Sequence, residues 1–372
     1  GGAGATFWMV VCGFLVMSSK FVECTLGVKY RDILPNGHVH GGPMRYLTKG
    51  FAEKGMGGFG KVLAVVFAIM CIGGSFGGGN MFQVNQALAQ IVSVSGDGSF
   101  LANNGWVFGV VVAALVGITI IGGIKSIGKV TSKLVPFMGI IYVVAGLIVI
   151  LMNASHVPAA FGAIIDGAFS TQSAFGGLVG VLIVGFQRAA FSNEAGIGTA
   201  PMVHGDTKTD EPVREGLVAM LGPAIDTLVV CTLTALVILS TGVYEPYLGK
   251  GVEGIPVTLE AFNQAIPGGA GGYLLGLCIL IFAISTLLSY SYYGVKCMSF
   301  LFGAKKGNLY NYIYIGTIIL GSVASLDFVF TLIDSSFALM AIPTIISAIL
   351  LAPKVKEASK SYFARLKSGE MN

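Results

Sequence analysis

The sequence predicts an all-α polytopic membrane protein, and three observations carry that prediction. Apolar residues make up 54% of the chain against 11% charged, with a mean hydropathy of +0.82, a ratio foreign to a soluble globule built on one core. Apolar runs of about the length a bilayer crossing needs, roughly 20 residues, recur from end to end. Lysine and arginine gather in alternate connecting segments. The net charge of +4 is then a consequence of membrane topology and not the footprint of a nucleic-acid binder.

Nine runs qualify in chain order: Ala5–Leu26, Val62–Val92, Trp106–Ile121, Leu134–Met152, Ala174–Thr199, Leu217–Leu239, Tyr273–Met298, Tyr310–Leu326 and Phe328–Leu351. With the first crossing from outside to inside, nineteen of the 22 lysines and arginines fall in cytoplasmic segments. Only Lys250 lies outside, while Lys20 and Arg188 sit within spans. The positive-inside rule therefore places the C-terminus in the cytoplasm of a cell-membrane protein. Gly1 falls on the outer side with no initiator Met or signal peptide ahead of it, so a preceding segment is expected.

Enzyme motifs fail on context. Gly73 to Gly77 reads G-x-S-x-G, but within an apolar helical span and not at a strand-to-helix turn. Gly55 to Lys61 reads G-x-x-x-x-G-K, yet Val62 stands where a P-loop needs a hydroxyl. His38, His40, His156 and His204 all fall in loops, so no buried Ser-His relay assembles. The six cysteines lack C-x-x-C spacing and read as small apolar residues. Neither catalytic residues nor a cofactor are expected.

The fifth run breaks its own pattern. Ala174 to Phe186 carries no charge, and then GFQRAAFSNEAGIGTAP, Gly185 to Pro201, brings in Gln187, Arg188, Ser192, Asn193 and Glu194 with Gly196, Gly198 and Pro201. At about 1.5 Å per residue the polar cluster begins at the bilayer centre. A helix interrupted there frees backbone N–H and C=O groups for a ligand, with the half-helix ends adding partial charge. Pairing of Arg188 and Glu194 with each other, or with Lys20 and Glu23, is the structural alternative for those charges. Two further places reach the same depth. The run GGSFGGGN, Gly73 to Asn80, exceeds what close helix packing needs and points to Asn80 and Gln83 as lining a path. Ser285 and Thr286, with the Phe282 carbonyl one turn earlier, are hard oxygen donors of the kind a small alkali cation takes, although helical hydroxyls also bond back to their own carbonyls.

GFQRAAFSNEAGIGTAP, KFVECTLGVKYR (Lys20–Arg31), GGPMRYL (Gly41–Leu47), GNMFQVNQ (Gly79–Gln86) and STLLSYSYYG (Ser285–Gly294) together resemble the alanine or glycine:cation symporter family, along essentially the whole chain. The first motif is specific; the others agree in order and spacing. The resemblance implies the ten-helix inverted five-helix-repeat fold shared with neurotransmitter:sodium symporters and amino-acid permeases. In that fold the first and sixth core helices are broken, and the eighth supplies hydroxyls to a sodium site. The nine spans then correspond to core helices two to ten, in a single transmembrane domain over residues 1–372. The incomplete first repeat runs to about 152, the second from about 174 to 352, and a cytoplasmic tail covers 353–372. The first broken helix is expected ahead of Gly1. Where the family often carries Trp, this chain has Tyr290.

What the resemblance implies for function is sodium-coupled symport of alanine or glycine by alternating access, with the lipid bilayer as the other partner and no nucleic acid. Gln187, Ser192 and Asn193 would hold the amino acid's polar groups, Phe186 and Phe191 would limit its size, and Asn80 and Gln83 would face it. Phe282, Ser285 and Thr286 would bind sodium. Proton coupling and an uncoupled facilitator or channel stay open as alternatives.

Overall fold

The computed structural model describes residues 2–33, 39–96, 98–170, 177–247 and 255–370. His38, Lys250 and the start of the fifth apolar run at Ala174 lie outside the described residues. Thirteen helices carry the account: α1 Gly4–Lys29, α2 Pro43–Ala52, α3 Gly57–Ser95, α4 Gly105–Ile121, α5 Gly123–Met152, α6 Val157–Phe169, α7 Gly177–Asn193, α8 Ala200–His204, α9 Pro212–Thr241, α10 Ile255–Ala265, α11 Ala270–Phe302, α12 Ala304–Gly321 and α13 Leu326–Ser368. Between α1 and α2 a small antiparallel pair, β1 Asp32–Ile33 and β2 Val39–His40, aligns Asp32 with His40.

Six of these helices, α1, α3, α5, α9, α11 and α13, are long and apolar enough to cross a membrane, and α4 and α7 are shorter apolar helices. Large apolar side chains stand exposed on their outer faces, among them Ile118 at 78%, Leu151 at 72% and Ile349 at 68%. In water such a surface is an aggregation site; in a bilayer it is the lipid contact. The protein is a multi-pass membrane protein. Two apolar runs end differently from the sequence expectation. Tyr310–Leu326 straddles a boundary, because α12 already starts at Ala304 and stops at Gly321, before α13 opens at Leu326. Ala174–Thr199 stops being helical after Asn193.

Two helices change register at mid-length. In α3 the Gly77–Met81 stretch takes a π turn, and in α9 the Ala224–Cys231 stretch does so over eight residues. Such wide turns are uncommon and gather at functional sites. Gly79 shows why the first needs its glycines: a Cβ there would lie 2.1 Å from the Tyr290 ring of α11. One core joins α2, α3, α4, α11, α12 and α13 around Phe67, Tyr290, Tyr310 and Tyr314. A second fills the space between α5, α9, α10 and α11 around Tyr142 and Phe262. Near the end of α13, Arg365 forks onto Glu211 at 2.7 and 2.8 Å. That hydrogen-bonded guanidinium holds the Glu211 carboxyl below the usual carboxylate range.

Candidate functional site

The interruption foreseen in the fifth run is present. α7 ends at Asn193, the chain turns through 194–199, and α8 starts at Ala200. Glu194 has φ +54, alone in the left-handed region among the described non-glycine residues, and Gly196 and Gly198 follow at +86 and +82. A left-handed Glu persists only when its surroundings over-determine it. They do so here: its carboxylate accepts hydrogen bonds from Tyr290 OH at 2.5 Å and Thr199 Oγ1 at 2.6 Å. At Gly198 any side chain would strike Thr344, Phe67 and Pro43, its Cβ 2.6 to 2.8 Å from each.

Backbone groups freed by the break need partners inside a membrane, and α1 supplies two. Lys20 Nζ donates to the Asn193 carbonyl at 2.7 Å. Three residues on, Glu23 Oε2 accepts from the Gly196 N–H at 3.3 Å. A cation thus caps the carbonyl end of α7 and an anion takes an amide just beyond it, as helix-end polarity demands. Both are buried, at 6% and 1% exposure, and Glu23 Oε1 has no partner among the described residues. Thr344 of α13 donates to the Gly196 carbonyl, and Asn193 Oδ1 accepts from the Ala195 N–H at 3.0 Å. Beyond α8, Lys296 Nζ donates to Met202 O at 2.7 Å and Asp206 Oδ1 at 2.5 Å. Tyr292 donates to the same Asp206, and Arg31 donates to the carbonyls of Thr207 and Thr209.

The sequence candidates separate into groups. Phe191, Ser192 and Asn193 come together at the lip of the break. The Phe191 ring lies 5.8 Å from Phe82 of α3 and 6.0 Å from Phe337 of α13. Ser192 Oγ donates to Asp226 Oδ2 of α9 at 2.6 Å, and buried Asn193 donates from Nδ2 to Thr227 Oγ1 at 3.0 Å. Phe186 is half-buried a turn or more back, and Gln187 is exposed. Asn80, in the π turn of α3, is fully buried, but its amide donates to Tyr314 O and Thr317 Oγ1 of α12 at 2.8 and 2.9 Å. Gln83 donates to Gly78 O of its own helix. Ser285 is buried and donates to the Phe282 carbonyl at 2.9 Å, so two of the three cation candidates are bonded to each other. Thr286 beside them is half-buried.

Tyr290 couples these places: its ring covers Gly79 in the π turn while its hydroxyl holds Glu194 in the break. Neither the bond from Tyr290 to Glu194 nor the carboxylate of Asp226 is among the features the motifs single out. A lone carboxylate inside an otherwise apolar run was the signal available for the latter.

Comparison with known proteins decides the family. The model of the sodium:alanine symporter family matches residues 1–372. The chain belongs to that family. It is 40% identical over 364 residues to the sodium/alanine symporter AgcS of Methanococcus maripaludis, covering 97% of this chain and 78% of the relative. It is 33% identical over 372 residues to the probable sodium/glutamine symporter GlnT of Bacillus subtilis, covering 100% of this chain and 74% of the relative. It is likewise 33% identical over 384 residues to the putative sodium/proton-dependent alanine carrier protein YrbD of the same organism, covering 99% and 76%.

Proposed function

We propose that this member of the family is a secondary active transporter that moves a small neutral amino acid, alanine or glycine, together with sodium by alternating access. The observation that carries the reading is the break at 194–199, where Lys20, Glu23 and Thr344 bond the backbone of Asn193 and Gly196 and Tyr290 holds the Glu194 carboxylate. Interrupted helices at mid-membrane depth are where transporters seat solute and coupling ion. The aromatic rings of Phe82, Phe191 and Phe337 beside it suit a short aliphatic side chain. Supporting the sodium half are the sodium:alanine symporter family itself and the similarity to the sodium/alanine symporter AgcS.

In this reading the chain crosses the membrane nine times, with α4, α7 and α12 as the shorter crossings, an inverted repeat relates its halves, and the C-terminus is cytoplasmic. Ser192 and Asn193 address the amino acid's polar groups, and Phe191 bounds its size. Phe186 and Gln187 stand farther back on α7, and Asn80 and Gln83 of α3 are the remaining residues proposed to face the solute. Ser285, Thr286 and the Phe282 carbonyl form a sodium site on α11.

Uptake of labelled alanine and glycine into proteoliposomes, with sodium and proton gradients imposed separately, tests the reading. Accumulation driven by sodium alone is expected; flux indifferent to either gradient overturns coupling. In the same assay Thr286→Val, which keeps the side-chain shape, is expected to raise the sodium concentration for half-maximal uptake several-fold, about the size of one lost hydroxyl ligand. Normal sodium dependence in this variant moves the ion elsewhere.

A further inference from the structure

α5 opens at Gly123, directly after α4 closes at Ile121, and its first turns carry Lys125, Lys129 and Lys133. At four-residue spacing the three share one face of the helix. All are exposed, whereas Ile127 on another face is buried in the core around Tyr290. α12 opens at Ala304 with Lys305 and Lys306, which are exposed as well. α4 relates the two openings: a Cβ on its Gly109 would lie 2.5 Å from Ser322, and one on its Gly117 3.2 Å from Ile315. α4 and α12 therefore run antiparallel, and both groups of lysines gather at one end of the bundle, the cytoplasmic end in the proposed topology.

That end holds no counter-charge of its own. Neither aspartate nor glutamate occurs from 98 to 165 or from 261 to 326, the stretches that include α4, α5, α11 and α12. None of the ion pairs among the described residues includes Lys125, Lys129, Lys133, Lys305 or Lys306. Lys306 lies over the ring of Phe302, 5.9 Å from its centroid. The placement is also unfavourable in itself, because the start of a helix is the positive end of its dipole. Neither α5 nor α12 has an acidic residue in its first turn to offset this. Apolar surface begins where the lysines stop: Val135, Phe137 and Ile140 stand exposed beyond Lys133, and Ile121 and Phe302 stand exposed next to the two helix starts. From Lys125 to Lys133 the helix rises about 12 Å, enough to cross a headgroup layer of about 5–8 Å.

We propose that this patch is a docking surface for anionic phospholipid of the cytoplasmic leaflet. The lysine ammoniums take the phosphate oxygens and the net negative charge of the headgroup, and the acyl chains lie on the apolar side chains beside them. A soluble anion would meet the lysines alone; a lipid meets both surfaces, which is why a lipid is the occupant that fits. Since Ile127 packs in the core that holds Tyr290, a lipid bound here anchors the start of α5 to the membrane surface and to the bundle at once. The site owes nothing to the identity of the solute or of the coupling ion.

Spin-labelled lipid tests it. The purified full chain is reconstituted in phosphatidylcholine vesicles with a trace of spin-labelled phosphatidylglycerol or, separately, spin-labelled phosphatidylcholine, and the share of label immobilised at the protein is compared. Label in both leaflets reports, so the result does not depend on which way the chain inserts. The parent is expected to hold phosphatidylglycerol about threefold or more over phosphatidylcholine, and to lose most of that preference at high salt. Replacing Lys125, Lys129 and Lys133 together by Gln is expected to bring the preference close to parity. If thermal unfolding shows that this variant does not fold, the pair Lys305→Gln with Lys306→Gln decides, expected to cut the preference roughly by half. Lys356→Gln, Lys360→Gln and Lys367→Gln together remove as much charge from the tail and are expected to leave the preference unchanged. No preference in the parent, a parent-like preference in a folded patch variant, or an equal loss in the tail variant overturns the site.

Discussion

Lys20→Met is expected to abolish transport and to destabilise the protein by about 3 kcal/mol, the combined scale of a carbonyl left without its charged donor and a buried charge left without its neighbour. The ammonium it removes is 6% exposed and holds the Asn193 carbonyl across 173 residues of sequence. Its loss strands that carbonyl and leaves Glu23, 1% exposed, as the charge of α1 at the break. The double variant Lys20→Met with Glu23→Gln removes both charges, so it is expected to recover stability but not uptake, because the backbone at 193–196 has still lost its capping cation. Thermal unfolding and alanine uptake, measured side by side, separate the two effects. Parent-like values in the single variant would show that the break holds its shape without α1.

Gly79→Ala comes next in size. Its new methyl would lie 2.1 Å from Cγ of Tyr290, so the ring must move. Overpacking of this kind costs about 1–3 kcal/mol, and here the displaced ring also takes its hydroxyl off Glu194. Tyr290→Phe isolates the second part, deleting the hydroxyl and keeping the ring over Gly79. Expected are a clear loss of stability in Gly79→Ala, a smaller one in Tyr290→Phe, and weakened alanine binding in both. If Tyr290→Phe binds alanine normally, Glu194 is held in its left-handed conformation by other contacts and the bridge from π turn to break carries no function.

The parts of this picture that were legible in the sequence are those written locally. Long apolar runs between basic segments announce spanning helices, and Gly196 and Gly198 beside a polar cluster announce a break, because helix termination is decided within a few residues. Partners far along the chain were not legible. Nothing in the run around Asn80 announces that Tyr314 and Thr317, more than 230 residues away, accept hydrogen bonds from its amide. Gln187 shares its motif with Ser192, and the helical rotation between the two leaves Gln187 exposed. The run Tyr310–Leu326 misplaced a boundary because hydropathy follows charge, whereas α12 begins beside Lys305 and Lys306 and ends where Ser322–Ser325 turns the chain. The bond from Ser285 to Phe282 is the local alternative that any helical hydroxyl carries.

In the proposed transport cycle the interrupted segment after α7 seats the amino acid, with sodium bound alongside it on α11. Hydrogen exchange of the backbone amides in 194–199, followed in the purified chain with alanine, with sodium, with both and with neither, tests it most directly, since occupation of a site slows local opening. Strong slowing at these amides is expected when alanine and sodium are present together, and much less with either alone. Exchange in this segment that is unchanged by the pair, while another part of the chain is protected, would contradict it.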